Sequence, residues 1–515
     1  MAFKISRHKP RLLLCLFLLA GACQSQPSSK SVTASPGAAS VQASSTQVPP
    51  AEQINPLTGE PAVDPSVLNV PAVLISITHF PAIARPQSGL SFAPFVYEFY
   101  ITEGATRFLA VFYGQFPEVE VPVAGGCETR TAPFVQTTTL IGNLVWVDSN
   151  RNGLQDPGEG GVSGLCVNLY DKSGHLIDRT STDSNGYYGF NVDPGQYTIE
   201  FVKPPGLDFT VRNAGDPSAD SDPNPADGRV TVNVTSDALT LDAGMVPASR
   251  TSPTPAPAST LPPAQVGPIR SGRLIYQYIA HYFQDSCLIF GSASPEVLVH
   301  LPKRLIVFHE LAGGGFMLDL NEMESVAAAN ARKKGSDFNY TGNAYAADPP
   351  PGGSPATRLQ VYIAYQNQSA WEYDPLYQGY IRYVDSSEYD QAGVLHPDTD
   401  RLTGRQIHVE NIIVLYAQHQ VVEPTNLDIH LDPGMHGKAL LFRDGQVFQA
   451  QWRTQTNQDA AAAGIRPIRF FARNDQPLAL KPGHTWIIVV TPETTVEQTD
   501  TGLWKLTFFM PPGAK

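Results

Sequence analysis

The chain has 515 residues, too many for one ordinary domain, and its 42% hydrophobic content is ample for folded cores. A formal net charge of −13 argues against a nucleic acid partner, because phosphate binding needs clustered Lys and Arg. Five cysteines are too few for a disulfide-built scaffold.

At the N-terminus Lys4, Arg7, Lys9 and Arg11 precede the apolar run "LLLCLFLLAGA", which is short for a membrane span. The run ends in "AGAC", residues 20–23, which resembles a bacterial lipobox. The resemblance implies a signal peptide over 1–23 and a lipid on Cys23, making the membrane the first expected partner and the location extracytoplasmic and lipid-anchored. Residues 24–53 are rich in Ser, Ala, Pro and Gln and read as a disordered tether. Past Cys15 and Cys23 only Cys127, Cys166 and Cys287 remain. Structural thiols are expected, with one disulfide as the alternative.

Residues 54–119 carry the strand patterns "AVLISIT" and "RFLAVFYG", and 120–138 form a connection. The next segment, 139–247, carries "VDSNRNGLQDPGEG" at 147–160. From Asp148, oxygen-bearing residues fall at the positions of a calcium loop: Asp148, Asn150, Asn152, the Leu154 carbonyl, Asp156 and Glu159, with Gly153 at the turn. The pattern recurs at Asp183 and Asn185, and again at Asp220, Asp222 and Asn224. This segment holds fifteen acidic and six basic residues, a net −9 that suits cations and also suits a solvated face. Its flanks "NLVWV", "CVNLYD", "YYGFNV", "QYTIEFV", "RVTVNV" and "LTLDAGMV" are short strands separated by turns, the pattern of a β-sandwich. The whole block resembles the serine-aspartate-repeat protein B-type (SdrD B-like) domain, an Ig-like/prealbumin-like sandwich. That resemblance implies structural Ca2+ and a rigid spacer.

Residues 248–264 are a Pro/Thr linker. Beyond it "SGRLIYQYIAHYF" and "LNEMESVAAANARKKG" read as helices, the second stopped at Gly335. "NIIVLYA", "GKALLFRDG", "QVFQAQWR" and "TWIIVV" read as a late antiparallel sheet with a turn at "RDGQ". The blocks "ARPQSGL", "EGATRFLAVF" and "VGPIRSGR" resemble the YerB-like family of bacterial envelope lipoproteins, a domain of unknown function (DUF3048) in two halves. The resemblance implies an α+β host, 54–119 continued by 265–370 and a C-terminal domain at 371–515, with the sandwich inserted at a loop tip. The stretch "SDFNYTGNAY" keeps Asn339, Tyr340 and Thr341 but lacks the His that members carry there.

Arg85, Glu98, Glu103, Arg107, Arg270, Ser271 and Arg273 stand in these blocks. Arg270 and Arg273 suit a carboxylate or phosphate, or else pair with Glu98 and Glu103. His408 and Glu410 would share one strand face, His430, Asp432 and His436 could bind a transition metal, and His309 and Glu310 are adjacent, but the spacing is loose and solvated His is the stronger reading; His396, Asp398 and Asp400 in "LHPDTD" resemble a family block, with turn formation as the plain reading. "AGGGF" lacks the Lys of a phosphate loop, and no nucleophile motif appears. The expected function is binding or scaffolding at the cell envelope, with cell-wall polymer or envelope proteins as partners. The rivals are an enzyme acting on cell-wall glycan or peptide, and a surface adhesin. If the sandwich only displays the host, deleting 120–264 leaves the host folded.

Overall fold

Strand, far more than helix, builds this chain. The structure is a computed structural model that describes residues 53–62, 64–120, 123–248, 261–302, 304–306, 315–334 and 338–515. Cys23, the tether through residue 52, linker residues 249–260, His309, Glu310, residues 312–314 and Gly335 lie outside the described residues.

The host begins with Val73–Thr78, six consecutive buried residues, as a strand covered on both faces requires. It pairs antiparallel with Ala105–Phe112, in register from Val73↔Phe112 to Thr78↔Arg107. A tight turn at Glu103 and Gly104, both with positive φ (50° and 79°), folds that strand back on Phe95–Thr102. Phe95–Thr102 runs parallel to Thr485–Val490, which runs parallel to Asn411–Tyr416. The two ends of the chain therefore share one sheet. It continues antiparallel through His436–Arg443 and Gln446–Arg453, joined at Asp444 and Gly445, again both with positive φ. The late sheet expected to be antiparallel is thus mixed, because Thr485–Val490 enters it by a crossover rather than a hairpin.

A second group of strands, Ser354–Ala364, Asn367–Asp374 and Gly379–Asp385, forms an antiparallel meander, with Gly502–Thr507 parallel to its first member. Trp371 from this group meets Trp486 from the first sheet at 5.2 Å, and Trp486 meets Phe108 at 5.1 Å. Helix is a minor component: Tyr276–Tyr282, Pro295–Leu298, Leu320–Lys334 and Asn457–Ala463 are the α-helices among the described residues. The α+β expectation for the host gives way to a mostly β description. The meander escaped notice because it buries Asn367, Gln368 and Ser369, so apolar and polar residues do not alternate there.

The inserted segment forms two four-stranded sheets. One runs Arg229–Val234, Gly195–Phe201, Cys166–Asp171, Leu176–Ser181; the other runs Leu207–Phe209, Ala243–Pro247, Thr139–Val147, Tyr187–Val192. Ile141, Val145, Val167, Leu169, Tyr188 and Ile199 belong to the core between them. Leu176–Ser181 and Leu207–Phe209 were not expected: the first is largely exposed with no apolar alternation, the second is three residues long.

Candidate functional site: an arginine pocket beside a docked module

Along Ala105–Phe112 side chains alternate between faces. Thr106 and Phe108 turn towards the meander, where Thr106 donates to Glu98 Oε1 (3.1 Å) and Phe108 lies under the Arg382 guanidinium. Arg107 takes the other face, in the electrostatic company of Tyr276, Arg273 and Arg270. The segment carrying Arg270, Ser271 and Arg273 is pinned by its backbone: Arg270 N–H donates to Ser76 O, Gly291 N–H to Arg270 O and Gly272 N–H to Ser292 O. Ser76 Oγ also donates to Ser271 O (3.2 Å) and lies 2.6 Å from the Tyr276 hydroxyl.

These elements enclose a cavity of about 510 Å³ lined by Arg107, Arg270, Ser271 and Arg273, with Glu103 among the other lining residues. Arg107 is 5% exposed, yet its Nε–H and Nη1–H have no hydrogen-bond partner. Burial pushes its guanidinium down to about 9, and the neighbouring Arg273 and Arg270 add to that. Arg273 Nε–H and Thr102 Oγ1 on the same cavity also lack partners. Each unsatisfied buried group costs ~1–3 kcal/mol, more for a charged one. The alternative in which Arg270 and Arg273 pair with Glu98 fails, because Glu98 is engaged by Thr106, Trp486 and Arg382.

Arg85 and Glu98 belong to a separate, fully internal network. Arg85 pairs with Asp385 (3.6 Å) and approaches the buried His79. Glu98 accepts from Trp486 Nε1 (2.9 Å) and faces Arg382, which pairs with Asp398. Arg382 is fully buried among Phe108, Trp371 and Trp486. Asp400 caps a turn, accepting from Gly89, Ser91 and Leu402 N–H. These carboxylates hold the host together. Arg382, absent from the sequence-derived candidates, is its hub; nothing local in "YIRYVD" announces it.

In the 148–159 loop the oxygen-bearing side chains close on the loop itself. Asp148 is buried and accepts from Gly153 N–H (2.9 Å), Asn152 N–H (3.2 Å) and Thr210 Oγ1. Asn150 and Asn152 both direct Nδ2 at Asp156 Oδ2 (2.6 and 2.7 Å), and Glu159 accepts from Ser149 and Asp156 N–H. A bridge between Leu154 and Asp220 lays the third acidic loop alongside. There Asp222 accepts from Asp242 N–H, and Asn224 from Ala226 N–H. Burial and the charge of Asp220 push Asp222 up to about 6; burial and its acidic neighbours push Asp242 well above the carboxylate range. Asp242 was read only as part of a strand. Among the described residues no group of three or more His, Cys, Asp or Glu side chains is placed to hold a metal ion. His408 with Glu410 (3.8 Å) and His430 with Asp432 (3.2 Å) are separate pairs.

Asp183 and Asn185 face the host. Asp183 pairs with Arg130 (2.7 Å) and accepts from the Tyr377 hydroxyl (3.0 Å), while Asn185 Nδ2 donates to that hydroxyl (2.6 Å) and to Gln406 O (3.2 Å). Leu140 of the module packs with Leu376, Tyr377 and Ile381 of the host, and the Tyr187 and Tyr377 rings lie 4.3 Å apart. The picture of a spacer that merely displays the host is corrected: the module is docked, and removing it uncovers an apolar patch. The cysteines are also corrected. Cys127 and Cys166 form a disulfide, because residues 123–127 pair back along 162–164 and bring them together; Cys287 is free.

A model of the SdrD B-like domain matches residues 139–245, and models of the protein of unknown function (DUF3048) N-terminal and C-terminal domains match residues 57–130 and 359–487. The chain is 44% identical over 93 residues to serine-aspartate repeat-containing protein F of Staphylococcus epidermidis, covering 18% of this chain and 6% of that protein. It is 42% identical over 120 residues to serine-aspartate repeat-containing protein C of Staphylococcus aureus, covering 22% and 12%. It thus spans only a small fraction of the length of these curated relatives. Among solved structures, the YerB protein of Bacillus subtilis aligns over 85% of this chain and 97% of its own at 17% identity, with a TM-score of 0.43. The chain thus carries DUF3048 N- and C-terminal domains with an SdrD B-like domain between them.

Proposed function

We propose that this is an extracytoplasmic binding protein, tethered to the membrane through Cys23, which captures an anionic ligand in the arginine pocket. One observation carries the reading: Arg107 is a buried cation with two N–H groups unpartnered and two further arginines on the same cavity. An unpartnered buried donor calls for an explanation, and an anion in the cavity would turn each one into a charge-assisted hydrogen bond. The Cys127–Cys166 disulfide supports an oxidising compartment. No helix among the described residues is long and apolar enough to cross a membrane.

Ca2+ in this reading is structural. Asp148, Asn150, Asn152, Asp156, Glu159 and the Leu154 carbonyl would hold it, an all-oxygen set of the kind calcium prefers. Asn150 and Asn152 already converge on Asp156 Oδ2. Presenting oxygen in place of nitrogen would cost the bonds that Asn150 Oδ1 accepts from Asn152 N–H (3.0 Å) and Asn152 Oδ1 accepts from Leu154 N–H (2.8 Å), which the ion would have to offset. Asp220, Asp222 and Asn224 supply a second acidic loop beside it, whereas Asp183 and Asn185 serve the docking face.

The test is calorimetric titration of the full chain and of Arg107→Met with succinate and with inorganic phosphate. Heat from at least one anion that the variant loses is the expected result. Identical behaviour of the two proteins would refute the pocket.

A further inference from the structure

The tip of the meander carries two tyrosines that the core does not use. Tyr365 and Gln366 form the two-residue turn between Ser354–Ala364 and Asn367–Asp374. Such turns favour Asn, Asp or Gly, so turn chemistry does not account for a bulky ring there. Tyr389 opens the short 3-10 turn Tyr389–Gln391 in the loop that follows Gly379–Asp385. That loop is fixed against the hairpin. Gln366 Nε2 donates to Ser387 O (3.2 Å), and the buried Asp385 accepts from Ser387 N–H (3.1 Å) and Gln368 N–H (2.8 Å). Ser387 holds a positive φ of 58° to make this fit. The two rings are thereby held 5.2 Å apart, yet they stay 52% and 74% exposed.

We infer that this pair binds a soluble quaternary ammonium compound of the choline class. Shape gives the first reason. The ring planes are inclined by 51°, so they offer no flat platform for the broad face of a sugar; inclined faces suit a compact, rounded group. Charge gives the second. Glu388 and Asp390 are exposed on either side of Tyr389, and among the described residues neither pairs with Lys or Arg. Other tyrosine faces in the chain are covered from within: Lys438 lies over Tyr416 (4.4 Å), Lys505 over Tyr362 (5.6 Å) and Arg229 over Tyr170 (5.1 Å). No Lys or Arg among the described residues lies over Tyr365 or Tyr389. Ring faces are electron-rich, so two open faces beside two carboxylates complement a cation supplied from outside. Hydration decides which cation. A primary ammonium is compact and strongly hydrated, and an open site does little to strip its water. A quaternary ammonium has no N–H to leave unsatisfied, and its methyl groups meet the ring faces directly. A phosphate close to that ammonium, as in phosphocholine and the matching lipid headgroup, would face Glu388 and Asp390; the hydroxyl of choline does not.

The experiment is an NMR titration of the full chain that follows the methyl line of tetramethylammonium. Choline, phosphocholine, methylammonium, tert-butanol and phosphatidylcholine vesicles are run as parallel probes. The variants are Tyr389→Leu, Tyr389→Phe and Glu388→Gln with Asp390→Asn, all at exposed positions. Tetramethylammonium and choline are expected to bind with a Kd of roughly millimolar order, as two exposed ring faces and two surface carboxylates allow. Tyr389→Leu should weaken both about fivefold, the worth of one ring face, whereas Tyr389→Phe keeps the face and should change neither. The double charge variant should weaken both about twofold and remove most of their salt dependence. Tert-butanol bound as tightly as tetramethylammonium would reveal a patch indifferent to charge. Methylammonium bound more tightly would reveal carboxylates acting without the rings. Either result would overturn the proposal, as would binding unaffected by Tyr389→Leu or no binding at all. Phosphocholine or the vesicles bound as tightly as choline would overturn the assignment to a soluble, phosphate-free ligand.

Discussion

Tyr377→Phe isolates what the docking of the module is worth. The ring keeps its contact with Tyr187 and its place beside Leu140, Leu376 and Ile381, so no cavity opens. Only the hydroxyl goes, which donates to Asp183 Oδ2 at 3.0 Å and accepts from Asn185 Nδ2 at 2.6 Å. Asn185 retains Gln406 O, and Asp183 retains Arg130 and the N–H groups of Asn185 and Tyr187. A hydrogen bond to a charged group contributes ~1.5–3 kcal/mol and a neutral one ~0.5–1.5. With those remaining partners the expected loss is about 2–3 kcal/mol. Urea unfolding of the full chain measures it, and a cycle with Asp183→Asn should return a coupling of about 1–2 kcal/mol. Burial raises the Asp183 carboxyl to about 6 against the pull of Arg130. Its folded value therefore lies above the unfolded one. Its contribution is full below about 4 and is lost as pH rises through 6, by at most ~3 kcal/mol at ~1.4 kcal/mol per unit. Tyr377→Phe should deepen that loss. A change below ~0.5 kcal/mol, or no coupling with Asp183, would refute the view that these bonds hold the module to the host.

Replacing Cys127 and Cys166 by Ser opens a crosslink between residues 39 apart in sequence and should destabilise the chain by up to about 4 kcal/mol, read from its melting curve; an unchanged melt would show that β pairing alone holds the strap. The Asp220, Asp222 and Asp242 group should make the calcium-free protein melt several degrees lower at pH 7.5 than at pH 5, because Asp222 and Asp242, raised by burial and repulsion, favour the fold while protonated. Millimolar Ca2+ should erase most of that difference in the wild type by mass action, and Asp148→Ala with Glu159→Ala should remove the calcium response; a response retained by the double variant would move the ion away from the first loop.

Local patterns carried much of the fold. "VLISIT" and "NIIVLY" are unbroken apolar runs, and strands buried on both faces leave that trace. The hairpin at "RDGQ" was equally readable, because Asp444 and Gly445 are residues that tolerate positive φ. What local pattern cannot carry is pairing over distance. The joining of Phe95–Thr102 to Thr485–Val490 links residues some four hundred positions apart, and no spacing within either strand records it. The candidate site divides along the same line. Arg107, Arg270 and Arg273 were all legible as residues of interest, yet their separation from Arg85 and Glu98 was not. That sorting depends on which face of Ala105–Phe112 each neighbour meets, and it places Glu98 with Arg382 and Trp486.

The docked module changes what an insertion means for this host. A loop tip accepts a foreign domain when the domain's ends lie close together and its surface is indifferent to the host. Here the ends do not meet along the sheet: Thr139–Val147 and Ala243–Pro247 run parallel with Ala243 opposite Val145, which sets Thr139 and Pro247 at opposite ends of the pair. The surface is not indifferent either. Asp183 and Asn185 stand where the domain's oxygen pattern recurs, and both are committed to Tyr377, Gln406 and Arg130. Arg405 of the host pairs with Glu120 in the connection, and Phe134 N–H donates to Asp374. Contacts of this kind couple the stability of the two bodies. An ion that tightens the 148–159 loop therefore need not act as a stiffener of a spacer. It would steady a domain whose other face grips the strand Gly379–Asp385 through Ile381, and that strand supplies Arg382 to the network beneath Phe108. Phe108 is the chain neighbour of Arg107 on the opposite face of the same strand. A calcium-dependent change in anion affinity would test whether the module and the arginine pocket are coupled.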